Sequence, residues 1–152
     1  MLPETIDRTI EDLSAPVSMP WRLALIDHAL QVTDAGLREL ALLQLLDPSP
    51  DWTAIRRHCG TTRKLLARAP SRQPVVWSPP ARDLELPSPA VSCTIDMLTE
   101  LSSALALALV STAEDATNPV DEICCRSAAL TGAALHTALL NLPKASVRSH
   151  DS

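Results

Sequence analysis

A chain of 152 residues with a formal net charge of −5, no Phe, no Tyr and three Trp has room for one domain with a real core. Its apolar content is mostly Leu and Ala, strong helix formers with little β preference, which argues against a β-rich architecture and predicts an all-α helical bundle of five to six helices. Three glycines are too few for a phosphate-cradling loop, and four cysteines without a CxxC pair or Cys/His spacing fit no common zinc motif.

The first predicted helix runs from Glu4 to Ser14, with Ile6, Ile10 and Leu13 on one stripe and Pro16 beyond its end. Pro20 suits the first turn of a second helix, whose Leu23, Ile26 and Leu30 share a face. Thr33–Asp34–Ala35–Gly36 reads as a break, because Thr and Asp are good N-caps and Gly weakens a helix interior. A new helix is then expected over Ala35–Leu46, with Leu37, Leu40, Ala41 and Leu45 inward. Asp47–Pro48–Ser49–Pro50 is a turn by composition. Asp51 caps a helix holding Trp52, Ile55 and Cys59, which Gly60–Thr61–Thr62 interrupts before Arg63–Ala69 and Pro70.

Six of the 13 prolines fall between Ala69 and Ala90, so residues 70–90 are expected to form an irregular linker, with Val75–Val76–Trp77 as an apolar anchor. Two Ala/Leu-rich helices follow, Ser92–Asp115 and Pro119 to about Leu142, predicted to pack as an antiparallel hairpin over 91–143. Small residues surround Leu130, Leu135 and Leu139, so this last helix must be buried on most sides. Residues 144–152 are expected to form a loose tail. The division is thus a helical part over 1–69, the linker, the hairpin and the tail, within one compact unit.

Charge is strongly segregated. Trp52–Arg82 carries Arg56, Arg57, Arg63, Lys64, Arg68, Arg72 and Arg82, seven of the 13 basic residues, and no Asp or Glu. Such a segment suits an anionic partner or neutralisation by acids elsewhere in the fold, with Asp34, Glu39, Asp96 and Glu100 as the candidates.

Within it, Ile55, Gly60, Thr62 and Leu65–Leu66 resemble a helix-turn-helix pattern, with an apolar residue five before a turn glycine and an apolar pair rooting the second helix. The resemblance covers 35–69 and implies that Arg63, Lys64 and Arg68 project from a second helix toward DNA. Thr61 departs from it, since an apolar residue usually follows the glycine.

Other constellations are weaker. Asp96 and Glu100 share a helix face and read as solvated acids. His136, on the most apolar helix, is expected to bond to a backbone carbonyl or a Ser/Thr hydroxyl. Cys125 lies about 16 Å from it by helical rise, too far to share a metal. Asp27 and His28 are neighbours pointing apart, and Cys124–Cys125 read as two small apolar residues of a buried helix. No cofactor or metal site is expected.

Three functions follow. The first is a non-catalytic binding or regulatory protein contacting DNA or another polyanion through residues 52–72, with self-association, as a homodimer, through the C-terminal hairpin. The second is an adaptor or accessory subunit docking on an acidic protein, with Trp77 as anchor. The third is a small helical enzyme with His28, His136 or Asp96 as acid–base groups. The expected binding residues are Arg56, Arg57, Arg63, Lys64, Arg68, Arg72 and Trp77. No segment reaches about 18 uninterrupted apolar residues, and the acidic start Met1–Leu2–Pro3–Glu4 lacks the features of a secretory signal. A cytoplasmic protein with no membrane contact and reduced thiols is the expectation.

Overall fold

The computed structural model describes residues 2–43, 52–72 and 91–142. They form five helices: α1 (Leu2–Leu13), α2 (Met19–Leu43), α3 (Trp52–Leu66), α4 (Val91–Asp115) and α5 (Pro119–Leu140). The expected all-α bundle is what the chain adopts.

Side-chain pairings fix the register of the helices. Ser102 meets His136 while Gly132 abuts Leu109, so α4 and α5 run antiparallel, as the three-residue link Ala116–Asn118 requires. Arg63 reaches Asp27 and Arg56 reaches Asp34, so α2 and α3 are antiparallel. Thr62 meets Thr131 and Ser71 meets Asp121, which sets α3 against α5 in the same sense. Arg22 binds Asp115 and Gly36 faces Leu98, which does so for α2 and α4. These four helix pairings close a square, α2–α3–α5–α4, with every side antiparallel, and α1 lies against α2 and α4. In a four-helix bundle of this connectivity, α3 and α4 stand on a diagonal and point the same way. The end of α3 at Leu66 and the start of α4 at Val91 therefore lie at opposite ends of the bundle.

Leucines fill the square. Leu23, Leu30, Leu37 and Leu40 of α2 and Leu98, Leu101, Leu105 and Leu109 of α4 are fully buried, with Leu66 from α3 and Leu135 and Leu139 from α5. Burying such a side chain contributes about 1.5–3 kcal/mol each. Ile6 and Thr9 of α1 join them, the Thr9 hydroxyl donating to the Thr5 carbonyl. By length and composition Cys93–Asp115 and Pro119–Leu140 would also suffice to cross a membrane. Outside the core, Leu107, Ile123 and Leu130 are exposed on these two helices.

Two expected interruptions are absent. α2 runs unbroken through Thr33–Gly36, and α3 runs unbroken through Gly60–Thr62. In both, a threonine hydroxyl of the expected break bonds within the helix. Thr33 donates to the Ala29 carbonyl at 2.8 Å and Thr62 to the His58 carbonyl at 2.7 Å, the i−4 back-bond open to Thr in a helix. Gly36 is explained by packing, since a Cβ there would lie 3.0 Å from Leu98 Cδ2. Neither glycine has a positive φ, so the turn on which the helix-turn-helix resemblance depended does not form. The signals at the start of α5 do hold. Asn118 caps it by accepting from the Val120 amide, and Pro119 takes the first turn.

Candidate functional site

α3 turns Trp52, Ile55, Cys59, Thr62 and Leu66 into the core. That phase decides where each cation goes. Arg56 and Arg63, seven residues apart, face α2. Asp27 and Asp34, also seven apart, face α3, and in antiparallel register the two rows meet. Arg56 grips Asp34 with two hydrogen bonds, Nε to Oδ1 at 2.9 Å and Nη2 to Oδ2 at 3.3 Å, the fork geometry that suits arginine and carboxylate. The Asp34 contact raises the Arg56 pKa above its already high value.

Asp27 is the more heavily used acid. It is 7% exposed and receives Arg63 Nε at 3.0 Å and Gln31 Nε2 at 2.9 Å. Arg72, just past α3, brings Nη2 to 3.4 Å. Burial alone would raise the Asp27 carboxyl. The hydrogen bonds from Arg63 and Gln31, with the charges of Arg63 and Arg72, outweigh it and hold the group below the ordinary carboxylate value.

The remaining cations are different. Arg57, Lys64 and Arg68 are exposed and have no ion pair among the described residues. Arg57 and Lys64 lie about 10 Å apart along the helix by its rise, and Arg68 follows in the turn after Leu66. An open depression of about 390 Å³ sits beside this ridge, lined by Thr53, Arg56, Arg57, Gly60 and Arg63 with Asp34 and Cys59. The expected cationic site is thus split: Arg56, Arg63 and Arg72 are held by the protein's own carboxylates, and Arg57, Lys64 and Arg68 are not. Of the candidate acids, Asp34 takes part, while the decisive one, Asp27, was not anticipated. Trp77, Arg82 and the Val75–Trp77 anchor lie outside the described residues.

Sequence reasoning missed two further features. Asp121, expected only to favour the α5 dipole, is 1% exposed and accepts from the Ser71 amide at 3.0 Å and from the Ser71 hydroxyl. It ties the turn after α3 to the start of α5. Asp27 and His28, expected to point apart, both border a cavity of about 270 Å³ with Trp21, Ala24, Leu25, Gln31 and Arg72. Burial lowers the His28 pKa, against the pull of the Asp12 and Asp27 charges.

His136 behaves as expected. Its Nδ1 lies 2.9 Å from Ser102 Oγ and 3.2 Å from the Thr99 carbonyl. Ser102 gives its only proton to Thr99 O at 2.7 Å, so the set is satisfied when His136 Nδ1 carries a proton and donates. Cys124 and Cys125 are buried, unpaired thiols. Burial, the largest cause in both, pushes them up, Cys125 to about 11. Among the described residues no three His, Cys, Asp or Glu side chains converge as metal ligands do. No family model, no curated protein and no solved structure matches the chain.

Proposed function

We propose that the protein is a non-catalytic binding protein that engages a polyanionic surface through the outer ridge of α3, with Arg57, Lys64 and Arg68 making the contact. One observation carries this reading: these three cations stand exposed without an acid partner among the described residues, Arg57 and Lys64 on a helix that has no Asp or Glu of its own and Arg68 in the turn that follows it. Without a turn at Gly60 there is no separate recognition helix to enter a groove. Contact with a nucleic acid would therefore be to phosphates and independent of sequence. The test is binding of a fluorescent duplex across a salt series. Three neutralised phosphates predict a log–log slope of about −2.7, and Arg57→Gln with Lys64→Gln should lower it to about −0.9. Absence of binding at low salt would remove the nucleic-acid form of the reading.

A second reading, docking on an acidic protein, is supported by the shortness of the ridge and the net charge of −5. A long polyanion would meet the acidic remainder of the surface, and a compact acidic patch would not. In either case self-association through the C-terminal hairpin is part of the proposal. Ile123 and Leu130, two turns apart and exposed on α5, would form its seam. Sedimentation equilibrium of the wild type and of Leu130→Lys tests it, and a monomer in both would reject it.

A further inference from the structure

We propose that the cavity beside α2 binds a small organic anion with an apolar body, the anionic group on Arg72 and the body against Trp21, Ala24 and Leu25. The site is independent of the α3 ridge, since Arg57, Lys64 and Arg68 do not border it.

The cavity has two unlike sides. Trp21, Ala24 and Leu25 form an apolar wall, and Asp27, His28, Gln31 and Arg72 form a polar floor. Its volume of about 270 Å³ lies just under the range of ordinary ligand cavities, ~300–1,000 Å³, so a small molecule fits. The sign of the ligand follows from the floor. Asp27 is already committed to Arg63 and Gln31, and two guanidinium groups share that single carboxylate, which leaves one positive charge over. Burial favours the neutral form of His28, so its ring adds an uncharged polar edge, and Asp12, whose charge reaches His28, does not border the cavity.

The surplus resides on Arg72. Its 3.4 Å approach to Asp27 is longer than a good charge-assisted hydrogen bond, ~2.7–2.9 Å. Its guanidinium makes no hydrogen bond among the described residues. Five N–H donors in a planar fork are matched by two oxygens on one planar group, which a carboxylate provides. A cationic ligand would be repelled by Arg72, and a purely apolar one would leave its donors unmet. Trp21 is 64% exposed and the Arg72 side chain 28% exposed, so the mouth is open to solution.

The probes are phenylacetate and its neutral counterpart phenylacetamide, titrated into the full chain by calorimetry, with the Trp21 indole N–H followed by NMR. Phenylacetate should bind at least about tenfold tighter than the amide and shift the Trp21 signal. Arg72→Ala should erase the difference. Ala24→Trp, which fills the cavity without changing charge, should abolish binding of both. If circular dichroism shows α2 disturbed in that variant, Trp21→Ala takes its place and should weaken both ligands about equally. Equal affinity for acid and amide, a carboxylate preference that survives Arg72→Ala, or no binding of phenylacetate at millimolar concentration would each overturn the proposal.

Discussion

Adding one methyl group at Gly60 tests whether α3 is continuous. A Cβ built there meets no heavy atom within 4 Å, and the residue lies mid-helix with an ordinary negative φ. In an unobstructed helix interior Ala is about 0.8–1.0 kcal/mol better than Gly, partly because the unfolded chain has less freedom to lose. Gly60→Ala should therefore stabilise the protein by up to about 1 kcal/mol, or roughly 2–4 °C in Tm for a chain of this size. Urea unfolding followed by circular dichroism should show a higher midpoint with an unchanged slope. Gly36→Ala is the control. Its Cβ would sit 3.0 and 3.1 Å from the two methyls of Leu98, a side chain with no exposed surface in which to move. Overpacking of about 1–3 kcal/mol should cancel or exceed the same helix gain, so this variant should be neutral or destabilised. A turn glycine with positive φ would reverse the first result. If Gly60→Ala lowers stability, the helix does not pass through that residue and the two-helix reading of 52–69 returns.

Asp27→Asn should cost about 2 kcal/mol at pH 7, near the lower end for breaking a buried charge cluster, because Arg63 and Arg72 are partly exposed and can rehydrate. The Asp27 carboxyl is held below its unfolded value of about 3.9, so its contribution is present above that pH and lost as pH falls through the folded value. The gap in urea midpoint between wild type and variant should close toward pH 3, and a constant gap would contradict the assigned ion cluster. Native thiol titration with a disulfide reagent should label Cys93, the exposed cysteine, ahead of the rest, because burial pushes Cys59 to about 12 and Cys125 to about 11. A fast phase that persists in Cys93→Ser would refute that order. Ser102→Ala should destabilise by about 1 kcal/mol, and an unchanged midpoint would show that His136 does not depend on that hydroxyl.

The sequence was most legible where a signal is local and acts alone. Pro16, Pro20 and Asn118–Pro119 bound helices where expected, and the Leu23–Ile26–Leu30 face of α2 is buried. α5 is not buried on most sides as expected, since Leu135 and Leu139 are buried but Leu130 is 76% exposed. It misled where a local signal competes with packing. Thr33 is a cap by residue type and Thr62 belongs to an expected break, but a threonine hydroxyl can also bond to the carbonyl four residues earlier, and in these two helices it does. Gly36 is a breaker by propensity, yet Leu98 occupies the space its missing side chain leaves. The acids that meet the arginines were visible only as spacing. Asp27 and Asp34 repeat the interval of Arg56 and Arg63, and that match becomes a contact only in antiparallel register. Asp121 gave no signal beyond helix-dipole chemistry, because its partner Ser71 is distant in the chain.

The doublets Arg56–Arg57 and Arg63–Lys64 show how one stretch of charge serves two purposes. Consecutive residues on a helix are rotated by about 100°, and the doublets are seven residues apart, close to two full turns. The first member of each therefore faces α2 and the second faces solvent. The roles are separable by experiment. Arg56→Gln with Arg63→Gln releases Asp34 and the buried Asp27, so it should lose roughly 1–3 kcal/mol of stability and leave the outer ridge intact. Arg57→Gln with Lys64→Gln touches no described ion pair and should stay within about ±0.5 kcal/mol, while weakening whatever anion the ridge holds. Denaturation midpoints and the salt series, measured on both double variants, distinguish the two rows. If the outer pair proves as destabilising as the inner one, the phase of α3 is misassigned and the exposed ridge loses its basis.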